Sequence, residues 1–286
     1  MLKKNYIEKF IMGTAQYGNP YGVLNIQKKK VKHYTINKIF NNINNKIKII
    51  DTSEDYNIDK KTKKKFQKFI VNTKIEKNLL NKSYKFLSKV FDNILKNYKI
   101  NTLFIRNLEN DACNKNTINK INFLKKKFSI KKIGISIYDF KDIKNLYKKF
   151  KYDVIQIPCN VFDNRSDKFR VFFNKKNIEV HARSIFLQGL VFSDEELLKY
   201  KFKRYSKKIL SLQELAKKKK FSLANLCISH VLNKNYVSKV IFGAMDLKQL
   251  NLILNFKFIR NTSFLKGYST TNKGLIDPRK WLHKDN

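Results

Sequence analysis

Glycine and proline are scarce in this chain, at eight and three residues out of 286. No Pro/Gly/Ser-rich linker divides it, so one domain over residues 1–286 is expected. No run of roughly 18 consecutive apolar residues occurs, which excludes a hydrophobic membrane-spanning helix. The opening stretch MLKKNYIEKFIMG has no apolar run of signal-peptide length, and the expected location is the cytoplasm. Cysteine is nearly absent. Cys113, Cys159 and Cys227 are odd in number and far apart, so they read as reduced thiols rather than a disulfide frame. The four histidines (His33, His181, His230, His283) are equally scattered. With no HxH, HExxH or CxxC pair, no metal site is expected.

Acidic residues are few as well: 22 Asp and Glu face 62 Lys and Arg, for a net charge of +40. A basic surface of that size can bind nucleic acid, which stays open as an alternative. The plainer reading is solvated helix faces, because the excess is lysine and only seven residues are arginine. Runs such as KKTKKKFQK and LAKKKKF sit between apolar positions, as an outward helix face would place them. No specific nucleic-acid partner and no membrane partner is therefore expected. What the chain does hold is core: 42% hydrophobic residues, with 23 Phe and 14 Tyr, which excludes the composition of disorder.

Short β-branched runs alternate with longer stretches of helical spacing. The strand-like runs are IEKFIMGT (7–14), IKIID (47–51), FIVNTK (69–74), TLFIR (102–106), KIGIS (132–136), DVIQI (153–157), IEVHA (178–182) and KVIFG (239–243). Between them, 34–44, 83–98, 118–128, 140–150, 221–232 and 246–254 repeat apolar residues near a 3.6 period. Such alternation implies a parallel sheet, and eight units predict an α/β fold, a (β/α)8 TIM barrel. An open doubly wound sheet is the alternative, but no GxGxxG or GxxxxGK follows any strand.

A barrel works at the C-terminal ends of its strands. Those ends carry Gly13, Thr14 and Ala15; Asp51; Lys74; Arg106; Ser136; Gln156, with Asn160 beyond it; Arg183 and Ser184; and Gly243 and Ala244. Each alone reads as a strand-end residue meeting solvent. Together they predict a polar pocket.

These segments resemble the aldo/keto reductase family over almost the whole chain, from about residue 11 to 281. GTAQYG (13–18) with YGVLN (21–25) is similar to its opening segment in a bacterial branch. KIIDTSEDYN (48–57) resembles the signature strand and loop, and NTKIEK (72–77) the lysine strand. KKIGIS (131–136), DVIQIPCNVFDNR (153–165), HARSIFLQGLVF (181–192), VIFGAMDLKQL (240–250) and IDPRKW (276–281) follow in order. The resemblance implies NAD(P)H-dependent reduction of a small aldehyde, ketone or sugar carbonyl to an alcohol. Its catalytic set transfers as Asp51, Tyr56 and Lys74, with Tyr56 the general acid. Lys74 would lower the tyrosine's pKa, and Asp51 would hold Lys74.

The chain departs from the family pattern in places. The family's histidine falls on Arg106, which donates hydrogen bonds but does not release a proton. Asn57 stands where a glycine usually follows the tyrosine. A non-catalytic barrel is therefore a second reading. For the cofactor, NADPH with NADH possible, the resemblance implies Ser136 and Gln156 at the carboxamide. Arg183 would lie against the nicotinamide ring. Ser184, Phe186, Gln188 and Gly189 would line the pyrophosphate side, and Gly243, Ala244 and Gln249 the adenosine phosphates. Gly13, Thr14 and Ala15, at the end of the first strand, would also belong to the cofactor-binding set. The substrate and the oligomeric state are not fixed by these residues.

Overall fold

β-Branched runs buried on both faces can hydrogen-bond only to each other, and here they close a ring. The computed structural model describes residues 6–43 and 45–281, so His283 lies outside the described residues. β1 (Phe10–Gly13), β2 (Ile49–Asp51), β3 (Ile70–Glu76), β4 (Ile100–Arg106), β5 (Lys132–Ser136), β6 (Val154–Pro158), β7 (Glu179–Arg183) and β8 (Lys239–Phe242) pair in chain order. All neighbours are parallel. β1 returns to β8 through Phe10↔Val240, Ile11↔Ile241 and Met12↔Phe242, so the barrel is closed as expected.

Each strand lies on one of the expected runs, with shifted edges. The first run starts late, because Tyr6–Lys9 form a 3-10 turn, with Tyr6 stacked on Phe258 at 4.4 Å. β3 continues to Glu76 and β4 starts at Ile100, two strands that share the longest ladder. Glu195–Lys201 and Lys203–Lys218 are two helices beyond the expected set.

Helices form where apolar residues recur on one side. His33–Ile43 buries Ile36, Ile39, Phe40 and Ile43, and Tyr84–Leu95 buries Leu87, Phe91 and Ile94. Ser83, Asn114, Asp194 and Asp246 cap their helices by accepting a backbone N–H three residues on. One apolar cluster fills the space between strands and helices. A second joins the loops after β6 and β7 to the C-terminal tail through Phe162, Leu187, Leu190, Leu265, Leu275 and Ile276. That cluster brings IDPRKW back to the barrel mouth.

Inside the ring, Phe104 of β4 crosses toward His181 of β7, with centroids 5.8 Å apart. Gly134 of β5 makes the room: a Cβ there would sit 2.6 Å from the Phe104 ring and 2.8 Å from the Val154 carbonyl oxygen. Gly134→Ala is expected to destabilise the fold by about 1–3 kcal/mol through this overpacking. A lowered urea midpoint with an unchanged slope would register it.

The loop after β6 is tied to the helix Leu223–Leu232 through buried His230, whose Nε2 pairs with Asn164 Oδ1 at 2.9 Å. Burial, reinforced by the Lys234 charge, pushes His230 from 6.5 down to about 4. Between those values the unfolded chain takes up a proton that the native state refuses. Stability should therefore fall as pH drops from about 6.5 to about 4, by on the order of 3 kcal/mol. Chemical denaturation across that range should show the slope in the wild type, and His230→Gln should flatten it.

Candidate active site

A carboxylate at the end of a buried strand needs a partner, since a lone buried charge is costly. Asp51 closes β2 and has two. Its Oδ1 is salt-bridged to Lys74 Nζ from β3, and its Oδ2 accepts Gln156 Nε2 from β6 at 2.7 Å. Lys74 also donates to the Thr52 carbonyl at 3.3 Å, and Ser136 Oγ meets Gln156 Oε1 at 3.2 Å. Asp51, Lys74, Ser136 and Gln156 are all buried. Burial pulls Lys74 below its ordinary pKa, and the Asp51 charge opposes this. The four residues form one polar floor across β2, β3, β5 and β6.

Tyr56 rides above that floor on the short turn Glu54–Tyr56. Two backbone features hold it. Asn57 adopts φ 52, the left-handed conformation that a glycine would otherwise supply and that asparagine tolerates best among larger residues. Its amide donates to Asn19 Oδ1 at 3.1 Å, and Asn19 donates to the Asp55 carbonyl at 3.3 Å. Gly18 lets the two segments touch, because a Cβ there would fall 1.7 Å from the Tyr56 carbonyl oxygen. The ring of Tyr56 is half-buried, with Lys74 Nζ 5.5 Å and Arg106 Cζ 5.4 Å from its centroid.

Burial raises Tyr56 well above its ordinary pKa, and the Asp51 charge raises it further. Arg106 and Arg183 pull in the other direction without winning. The net direction is thus opposite to the lowering expected from the sequence: desolvation dominates, and the Asp51 charge adds to it. Tyr56 therefore carries its proton at neutral pH. Arg106 is itself held, its Nη1 donating to Asp55 Oδ2 at 2.8 Å and Glu76 Oε1 at 2.7 Å. It thus ties the residue before Tyr56 to the end of β3.

On the opposite side of the mouth, Arg183 ends β7. Its Nη2 donates to the Ile137 carbonyl at 2.8 Å and its Nη1 to Ser184 Oγ at 3.2 Å. Its guanidinium lies 3.8 Å from the Tyr138 ring centroid, and that of Arg279 lies 3.9 Å from the same centroid. Two groups that close cannot share one face, so Tyr138 is sandwiched. The following loop is strained, with positive φ at Ser184, Leu187, Gln188 and Gly189. Asn160 anchors it by donating to the Ser184 carbonyl at 3.1 Å. Phe186 packs on Phe192 at 5.1 Å.

The first and last strands are fastened by the GTAQY segment. Thr14 donates to the Asp51 carbonyl through both its N–H and its hydroxyl, each at 3.1 Å. Gln16 Nε2 reaches the Gly13 carbonyl at 3.0 Å and the Ala244 carbonyl at 3.2 Å, and Tyr17 Oη also reaches Ala244. Gly243 backs onto the Gln16 side chain. Gln249 caps its own helix, accepting from Met245 N–H at 2.9 Å. Leu24 packs on Gly189, and Val23 N–H donates to the Gln188 carbonyl at 2.9 Å. Ala15 opens the short helix Ala15–Gly18 beside this seam.

The model of the Aldo/keto reductase family matches residues 9–259. The chain belongs to the aldo/keto reductase family. Solved structures agree on the fold. The holo form of an aldo-keto reductase from Bacillus halodurans superposes with a TM-score of 0.70 at 15% identity, covering 95% of each chain. An aldo/keto reductase from Klebsiella pneumoniae, in complex with NADP and acetate, gives 0.67 at 13% identity over 94% of each chain. A glycerol dehydrogenase from Gluconobacter oxydans gives 0.64 at 17%, over 91% of this chain and 89% of that one. A search of curated proteins finds no match.

Within this aldo/keto reductase barrel, Asp51, Tyr56, Lys74, Arg106, Ser136, Gln156 and Arg183 come together at one mouth. Gly13, Thr14, Gly243, Ala244 and Gln249 lie along the β1–β8 seam, where Gln16 and Tyr17 bond the Gly13 and Ala244 carbonyls, Thr14 bonds Asp51 and Gln249 bonds Met245. The sequence reading missed Tyr138, Arg279, Asp55 and Glu76. One signal pointed to Arg279: arginine is rare in this lysine-rich chain. Truncating Lys74 to Met leaves Asp51 charged, buried and short of a partner, and should cost about 3–5 kcal/mol. Adding Asp51→Asn in the same chain should recover part of the loss, as thermal unfolding of the double variant would reveal.

Proposed function

We propose that this family member is an NAD(P)H-dependent carbonyl reductase with Tyr56 as the general acid. The observation carrying this reading is a tyrosine kept in its proton-bearing form, directly above a buried Asp51–Lys74 pair at the C-terminal mouth of the barrel. The donor set fits a nicotinamide dinucleotide at its nicotinamide end: a buried hydroxyl and amide (Ser136, Gln156) and a half-buried guanidinium (Arg183) stand on the neighbouring strands β5, β6 and β7. At the other end, Gly243 is exposed at the end of β8 and Lys248 offers a cation on the next helix. A bound nicotinamide dinucleotide supplies the hydride. NADPH is the expected form, with NADH possible.

The chain's own residues supply the rest. Tyr56 Oη donates its proton to the carbonyl oxygen of a small aldehyde, ketone or sugar. The phenolate left behind is stabilised by Lys74 and Arg106, both near the ring. Asp51 keeps Lys74 charged and in place. Arg106 stands where the family has its histidine. With Nη1 committed to Asp55 and Glu76, it acts through the position of the Tyr56 turn.

That commitment also favours a second reading, a barrel that binds the cofactor without turning over. Turnover of a carbonyl panel separates the two. The reductase reading expects NADPH oxidation that Tyr56→Phe cuts by about 100-fold or more while NADPH binding is kept. Saturable NADPH binding with no turnover of any carbonyl would leave the non-catalytic reading standing.

A further inference from the structure

Arginine accounts for only seven of the 62 basic residues, yet four arginines stand at or beside the mouth. Three of them carry a carboxylate. Arg106 holds Asp55 and Glu76, Arg165 holds Asp163, and Arg279 holds Asp277. Among the described residues, Arg183 has no carboxylate within salt-bridge reach, and its two hydrogen bonds go to neutral oxygens of Ile137 and Ser184. One face of its guanidinium is occupied by Tyr138. Behind that ring, Arg279 is already neutralised by a bidentate pair with Asp277, at 2.9 and 2.7 Å. Arg183 is thus a half-buried, uncompensated positive charge, held in one plane by the stack. It ends β7 at the same C-terminal rim of the barrel as Lys74 of β3 and the Tyr56 turn.

We infer that Arg183 makes this mouth discriminate between the two redox states of the nicotinamide, favouring the reduced form. The inference rests on the reading above that a nicotinamide ring binds beside Arg183. The reduced ring is neutral and the oxidised ring carries a positive charge; the rest of the dinucleotide is identical. A neutral ring can lie against a guanidinium plane without penalty. A cationic ring there meets like charge in a site of low dielectric, where repulsion is strong. The other charges around the mouth do not cancel it. Asp51 is spent on Lys74, and the surplus carboxylate of the Arg106 cluster lies on half-exposed Asp55 and Glu76, where water screens it. The consequence is an oxidised cofactor that leaves readily and a free site that takes up the reduced cofactor in preference; on the protein the same repulsion holds the bound couple toward its reduced form.

The measurement is the ratio of dissociation constants, NADP⁺ over NADPH, for the full chain at physiological salt with excess ATP. NADPH is followed by its fluorescence and NADP⁺ by displacement. General attraction of polyphosphate to a +40 chain acts on both forms, and Arg170→Met, on the exposed helix Arg170–Lys175, controls for the loss of one charge. We expect a ratio of about tenfold or more in the wild type, in Arg183→Lys and in Arg170→Met. Arg183→Met and Arg183→Gln, the latter keeping a donor for Ile137 and Ser184, should bring it within about twofold of unity. A wild-type ratio near unity would overturn the inference, as would neutral variants that keep the wild-type ratio. Saturable binding of neither form would remove the nicotinamide reading itself, and the inference with it.

Discussion

The buried pair of Asp51 and Lys74 is the constraint around which the mouth is arranged. Two charges taken out of water hold together only if their remaining valences are filled, and the neighbouring strands fill them. Gln156 takes the second carboxylate oxygen, the Thr52 carbonyl takes a second lysine proton, and Ser136 completes Gln156. Thr14 ties the Asp51 backbone to β1. Strands from both halves of the barrel are thus coupled through one carboxylate. The pair also bears on the Tyr56 proton. Burial of the phenol, with the Asp51 charge added, outweighs the cations beside it.

Around this floor a few residues fix the Tyr56 turn. Asn57 supplies a left-handed turn, and Gly18 allows the Tyr56 segment to lie on the first loop. Arg106 is the centre of a three-residue ionic clamp that fixes Asp55 and hence the turn. At identities of 13 to 17% the solved relatives share the barrel rather than its side chains.

The basic composition has a local meaning as well as a general one. Lysines cover helix faces, where a flexible ammonium in water costs little. The arginines at the mouth do what lysine cannot: they make planar, bidentate or stacked contacts, with Asp163, Asp277 and Tyr138. The tail reaches the mouth because Leu265, Leu275 and Ile276 are buried with the loops after β6 and β7. Without that apolar cluster Arg279 would have no route to Tyr138.

The sequence by itself determined the barrel and the meeting of Asp51, Tyr56 and Lys74. The barrel follows from local patterns, eight β-branched runs with helical spacing between them; Asp51 and Lys74 stand at strand ends, which register carries to one face, while the place of Tyr56 beside them is what the family resemblance implied. The helices at 195–218 escaped the expected set, since among so many lysines their apolar stripe gives a weaker signal. Only the tertiary structure decided which charges are cancelled. Asp55 and Glu76 meet at Arg106, and Tyr138 lies between Arg183 and Arg279, from segments as much as about 140 residues apart. Pairing of that kind depends on side-chain distances across the mouth, and no periodicity along a single chain encodes them. The same is true of the Tyr56 proton. Its retention is set by desolvation, a property of everything packed around the ring rather than of any residue beside it in sequence.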